Sequence, residues 1–255
     1  MKIRAAFHSP AFILSILMLG ALAVRLIYLA EAPMETRDGI SYVNFTQRWF
    51  ESGRAALPSF DRTSPPLFCY LGRGMMFLGL SASTALLTIN MTCGVLLLIP
   101  AYLIGKHIYD DRNAGLWFAG FAAVMPPLVE FSCVRLRESL YLFLVFWIVS
   151  LWVMTIRCRC RGEWAAALCG ASAVVATYCR YEALELLAFV ALSLPIIGLF
   201  PKWQWRRATM IALAVAGGVI VAAAVMHMLP GMPDILRVFY NRIYAQCLGT
   251  SINPL

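Results

Sequence analysis

Seven apolar segments, at approximately 10–30, 83–104, 114–131, 139–156, 164–179, 183–200 and 208–229, follow one another along the chain with almost no charge inside them. In a bilayer every backbone N–H and C=O must be satisfied internally, so such a segment crosses as a helix. About 20 residues match a hydrocarbon core of about 30 Å. A chain of 255 residues that is 61% hydrophobic and 13% charged is therefore expected to fold as an all-α membrane protein. The expectation is one transmembrane domain over 1–255 with about seven spans and no sizeable soluble domain. The net charge of +8 fits the positive-inside rule for membrane loops better than nucleic-acid binding, and no nucleic-acid partner is expected.

The ambiguous stretch is 67–82, which is apolar but interrupted by Gly72, Arg73, Gly74 and Gly79. If it stays at the outer interface, the N-terminus and the loops at 105–113, 157–163 and 201–207 all face the cytoplasm. Those segments hold Lys2, Arg4, Lys106, Arg112, Arg157, Arg159, Arg161, Lys202, Arg206 and Arg207. Of the acids they hold only Asp110, Asp111 and Glu163. A full crossing by 67–82 would turn each later basic loop outward, against the charge bias. The reading is therefore an extracytoplasmic loop at 31–82 and an extracytoplasmic tail at 230–255.

Several features carry bland readings. Cys69, Cys93, Cys133, Cys169 and Cys179 lie in or beside apolar spans, where cysteine acts as a small hydrophobe. Cys158 and Cys160 sit among Arg157, Arg159 and Arg161, a poor setting for a divalent ion. Ala30-Glu31-Ala32 fits a signal-peptide cleavage pattern, but 10–30 is long enough to be a retained anchor, interrupted by Arg25 near its outer end.

Residues 39–52 read as an amphipathic helix. Tyr42, Val43, Phe45, Trp49 and Phe50 share one face, and Ser41, Asn44, Gln47, Arg48 and Glu51 the other, with Ile40 as the misfit. Such a helix is expected to lie in the membrane interface with its aromatics among acyl chains and headgroups.

Three charged clusters punctuate this pattern: Arg37-Asp38, Arg135-Leu136-Arg137-Glu138 and Arg180-Tyr181-Glu182. On the topology above all three reach the outer face. Ionisable groups at membrane depth persist where they pair, line a cavity or do chemistry. Asp38 reads either as an N-cap bonding the amide near Ser41 or as a general base or metal ligand. The arginines read either as ion-pair partners, Arg137 with Glu182 or Arg180 with Glu138, or as ligands of an anionic headgroup. Glu138 and Glu182 could hold a sugar hydroxyl or a divalent cation. No cofactor is otherwise expected.

The order of a first span, Arg37-Asp38-Gly39-x-x-Tyr42, an amphipathic helix, Ser64-Pro65-Pro66-Leu67, and then paired spans with Glu138 and Arg180-Tyr181-Glu182 resembles the GT-C superfamily of integral membrane glycosyltransferases. Within it the layout looks like the branch of the protein O-mannosyltransferases and lipid A aminoarabinose transferases. The resemblance implies a core of seven spans with two extracytoplasmic juxtamembrane helices. It implies transfer of a hexose or pentose from a polyprenyl-phosphate donor to an extracytoplasmic glycan, lipid or protein acceptor, with inversion. The setting would be a bacterial inner or plasma membrane and the cell envelope. Asp38 matches the family's catalytic aspartate, and Arg135, Arg137 and Arg180 would hold the donor phosphate. The chain departs from the pattern in three ways: Gly39 replaces a second acid, Ser64 replaces a histidine, and the sequence stops before the usual further spans and soluble domain. Two alternatives therefore stand beside the enzyme: a non-catalytic GT-C-like scaffold or incomplete fragment needing a partner subunit, and a small transporter or flippase of lipid-linked sugars.

Overall fold

The computed structural model describes residues 9–31, 35–52, 67–157, 162–198 and 205–229. The tail 230–255, the Cys158/Cys160 pair, the Ser64-Pro65-Pro66 motif and the basic residues Lys2, Arg4, Arg159, Arg161 and Lys202 lie outside them. The described residues are helical, with short turns and no strand.

In chain order the helices are α1 (Pro10–Glu31), α2 (Arg37–Ser52), α3 (Leu67–Met76), α4 (Ala82–Leu96), α5 (Leu98–Tyr109), α6 (Arg112–Val124), α7 (Pro126–Cys133), α8 (Glu138–Arg157), α9 (Gly162–Thr177), α10 (Ala183–Gly198) and α11 (Trp205–Met228). Among the described residues, four stretches are long and apolar enough to cross a membrane: Pro10–Glu31, Ala82–Tyr109, Glu138–Arg157 and Ala208–Met228. The pair Arg112–Val124 and Pro126–Cys133, bent by 54°, makes up to five. The expected count of about seven is thus met only in part. At 1.5 Å per residue, the 16 residues of α9 reach about 24 Å, short of the hydrocarbon core.

Local chemistry sets the ends and breaks. Pro126 and Pro127 open α7, where missing N–H groups are tolerated, and so mark the bend. Pro100 cannot donate to the carbonyl one turn back, which accounts for the interruption at Leu97 within the span formed by α4 and α5. Asp110 ends α5 in the left-handed region at φ 54°, and Asp111 then caps α6 by accepting from the Asn113 and Ala114 amides at 3.1 Å. Helices α9 and α11 touch almost backbone to backbone. A Cβ on Gly218 would lie 1.9 Å from the Ala167 carbonyl oxygen, so only glycine fits.

Arg25, wholly buried in α1, ties this part of the bundle together. Its Nε donates to Ser132 Oγ at 2.8 Å, Nη1 to the carbonyls of Ala21 (3.0 Å) and Ala123 (3.2 Å), and Nη2 to that of Gly94 (3.1 Å). It therefore joins α1 to α4, α6 and α7. The five expected buried cysteines are all buried and unpaired.

Helices α2 and α3 pack as a pair at one end of the bundle. The α3 helix has 10 residues, about 15 Å, too short to cross. Its first amide, Leu67 N–H, donates to the Tyr178 carbonyl at 3.0 Å, which fixes it at the end of α9. The α2 helix is amphipathic as expected, and α3 packs against its aromatic face. Trp49 is 1% exposed and lies 5.7 Å from Tyr70, with the Arg73 guanidinium 5.5 Å over its ring. Phe45 packs on Trp49 at 5.6 Å, and Tyr42 meets Phe68 edge to face at 5.8 Å. The expectation of acyl-chain contact fails for Trp49, which α3 covers, while Tyr42, Phe45 and Phe50 stay part-exposed.

Candidate functional site

Three connections meet at the end of the bundle that carries α2 and α3: the start of α2, the α7–α8 segment 134–137, and the α9–α10 segment 178–182. The start of α2 is capped by Thr36, whose Oγ1 accepts from the Gly39 amide at 3.0 Å, while its carbonyl accepts from Ile40 at 3.0 Å. This corrects the N-cap reading of Asp38. The helix begins at Arg37, one residue before Asp38, which lies exposed in the first turn. Its carboxylate is therefore not spent on capping.

Gly39 lets α2 approach the second cluster closely. A Cβ there would lie 3.4 Å from the Arg135 carbonyl and 3.5 Å from Arg135 Cβ. The segment 134–137 is in turn held from below by Asn90 of α4, a fully buried amide. Its Nδ2 donates to the carbonyls of Val134 and Leu136 at 2.5 Å each, and the Asn90 main-chain carbonyl accepts from Ser139 Oγ at 2.9 Å. Both arginines of the second cluster thus hang from a segment pinned by one side chain. Sequence reasoning missed Asn90, although a lone amide inside an apolar span was the available signal.

The third cluster closes the site. Arg180 Nη1 bonds Glu138 Oε1 at 3.1 Å, and its Nε and Nη2 reach Glu182 Oε2 and Oε1 at 3.3 and 3.4 Å. The guanidinium lies 5.4 Å over the Tyr141 ring. Burial disfavours the Arg180 charge, but the bonds and charges of Glu182 and Glu138 outweigh it and raise its pKa. Burial likewise opposes ionisation of Glu182, and the Arg180 bond and charge overcome it and hold the carboxyl below its ordinary value. Of the two expected ion pairs, Arg180 with Glu138 is therefore formed. Arg137 with Glu182 is not: Arg137 influences Glu182 only through its charge.

The arginines differ in how they are satisfied. Arg135 pairs with Glu35 at 3.2 Å. The Nε and Nη1 atoms of Arg137 are buried and have no hydrogen-bond partner among the described residues, as has Glu138 Oε2. Tyr42 is near enough to Arg137, Glu138 and Asp38 to feel their charges. Burial pushes its phenol up to about 12, with Arg137 lowering it and Glu138 and Asp38 raising it. Tyr42 therefore keeps its proton near neutral pH and is available as a donor. The site brings together Asp38, Tyr42, Arg137, Glu138, Arg180 and Glu182. Phe45 and Trp49 belong to the α2–α3 packing, and Arg135 is paired with Glu35 in a cleft with Thr36, Gly39 and Ile40.

No protein-family model and no curated protein matches the chain. Among the described residues, no group of three His, Cys, Asp or Glu side chains is placed to hold a metal ion.

Proposed function

We propose that the protein is a polyprenyl-phosphate-sugar-dependent glycosyltransferase of the GT-C type. The observation that carries this reading is the pair of buried guanidinium nitrogens on Arg137 without a hydrogen-bond partner among the described residues, in a site shared with an exposed carboxylate, Asp38. Buried donors left unmade are costly, and a phosphate oxygen is the acceptor that suits a guanidinium fork. Arg137 is thus the main phosphate ligand. Arg180, already bonded to Glu138 and Glu182, supplies charge from behind. The acceptor hydroxyl attacks the anomeric carbon while the bond from that carbon to the phosphate oxygen breaks. The proton passes to Asp38, and the electron pair leaves on the polyprenyl phosphate at Arg137, so the anomeric carbon inverts. Tyr42 donates to the phosphate or to a sugar hydroxyl. Glu138 and Glu182 orient Arg180 and can accept from sugar hydroxyls. A divalent cation at these carboxylates would have to displace the Arg180 guanidinium, and the transfer proposed here needs none.

The same reading takes α9 and α10 as short crossings beside the longer helices. That gives seven spans, α2 and α3 as juxtamembrane helices, and an extracytoplasmic site. The transport alternative gains little from Arg25, the one arginine deep in α1. It is spent on backbone carbonyls and a serine, whereas a transport pathway would present it to a cavity. Binding of polyprenyl phosphate to the purified protein tests the site. Arg137→Ala should weaken it about tenfold or more, as loss of a charged hydrogen bond implies. Unchanged binding in Arg137→Ala would remove the phosphate assignment.

A further inference from the structure

The cleft beside Arg135 has a shape and charge that the transfer site does not use. It has a volume of about 150 Å³ and is lined by Glu35, Thr36, Ile40, Ser83 and Arg135, among others. Ile40, the misfit of the α2 pattern and 48% exposed, is one of its walls. Directly along α4 from Ser83, one helical turn on, lies Leu87, the first α4 residue of an apolar groove of about 440 Å³ between α1 and α4. Leu22, Leu26 and Leu29 form its α1 wall, and Leu87, Met91 and Val95 part of the other. The cleft that holds the Arg135–Glu35 pair and the apolar trough thus lie one helical turn apart along α4.

We infer that this cleft and groove bind a zwitterionic aminophospholipid of the bilayer, with its phosphate on Arg135, its ammonium on Glu35 and an acyl chain between α1 and α4. The site is separate from the proposed donor site and does not rest on it. The cleft offers one cation and one anion, 3.2 Å apart and with side chains 21% and 61% exposed. A pair so exposed contributes little by itself and opens readily to an inserted partner. Arg135 Nε is also buried without a hydrogen-bond partner among the described residues. An ethanolamine head carries a phosphate and an ammonium in series and satisfies both walls. Choline has no N–H to donate to Glu35, and a glycerol head has no cation.

The test is native mass spectrometry of the full chain released from nanodiscs holding equal phosphatidylethanolamine, phosphatidylcholine and phosphatidylglycerol with matched chains. The wild type should retain one phosphatidylethanolamine in preference to the other two. Arg135→Ala should lower its retention about tenfold, as expected for a lost charged hydrogen bond to phosphate. Glu35→Gln should abolish the preference over phosphatidylcholine, and Leu26→Trp, which fills the groove, should expel the lipid with the head pair intact. Equal retention of phosphatidylglycerol, retention unchanged in both Arg135→Ala and Leu26→Trp, or displacement of the lipid by polyprenyl phosphate would overturn the inference.

Discussion

Asn90 offers a sharp test of how the site is built. Its two N–H groups hold the carbonyls of Val134 and Leu136, and the side chain is completely buried. Asn90→Leu removes both bonds at similar volume. At roughly 0.5–1.5 kcal/mol net for each bond, the loss is about 1–3 kcal/mol. Removing Oδ1, which is buried without a hydrogen-bond partner among the described residues, offsets part of it. Asn90→Asp keeps the shape but replaces donors with acceptors against two carbonyls, and an uncompensated buried charge costs about 3–5 kcal/mol. The expected order of thermal stability in detergent is wild type, then Asn90→Leu, then Asn90→Asp by a wide margin. Polyprenyl-phosphate binding, read on Asn90→Leu at a temperature where it remains folded, should fall because Arg137 is no longer held in place. Asn90→Asp matching Asn90→Leu in stability would refute the claim that the amide donates to this segment.

Two further outcomes follow from the charges. Glu182 has a lowered pKa in the folded state, so its stabilising contribution is present above its ordinary value of 4.5 and is lost as pH falls through the lower folded value. Because the side chain is 39% exposed, the effect should be under about 1 kcal/mol. A pH series of melting curves should show an acid-side slope that Glu182→Gln removes, and an unchanged slope would discount the pair. Single cysteines at Glu35 and Asp110 in a cysteine-free background should label from opposite sides of intact cells, with Glu35 outward. Labelling of both from one side would separate the basic loops from the proposed topology.

Much of the bundle was legible because burial in lipid writes itself as apolar runs. The runs at 10–30, 83–104, 139–156 and 208–229 correspond to the four long apolar helices. The amphipathic helix at 39–52 was legible from its 3.6-residue period, although what covers it was not. Composition cannot say whether Trp49 faces lipid or Arg73 of another helix. The meeting of the three clusters followed from counting crossings and loop charges. Partner choice did so only in part. Thr36 rather than Asp38 caps α2, and Glu182 pairs with Arg180 rather than with Arg137, although the expected Arg180–Glu138 pair did form; such choices depend on where a backbone turns by a single residue. Arg25 was visible only as an interruption and Asn90 was missed, and their bonds to other parts of the bundle reach 69 and 44 residues or more along the chain.

The central claim is that Asp38 is a catalytic base rather than a structural carboxylate, and sugar transfer measures it most directly. Full-length protein in bilayers would be given labelled polyprenyl-phosphate sugars and envelope acceptors, and release of polyprenyl phosphate followed. Asp38→Asn should reduce the rate about 10²–10⁴-fold, the range a positioned base contributes, with the melting temperature little changed. Thr36→Val, which removes the actual cap at a cost of about 1 kcal/mol, should lower stability and leave most of the transfer. Full transfer by Asp38→Asn, or no release by the wild type with any such donor, would contradict the account.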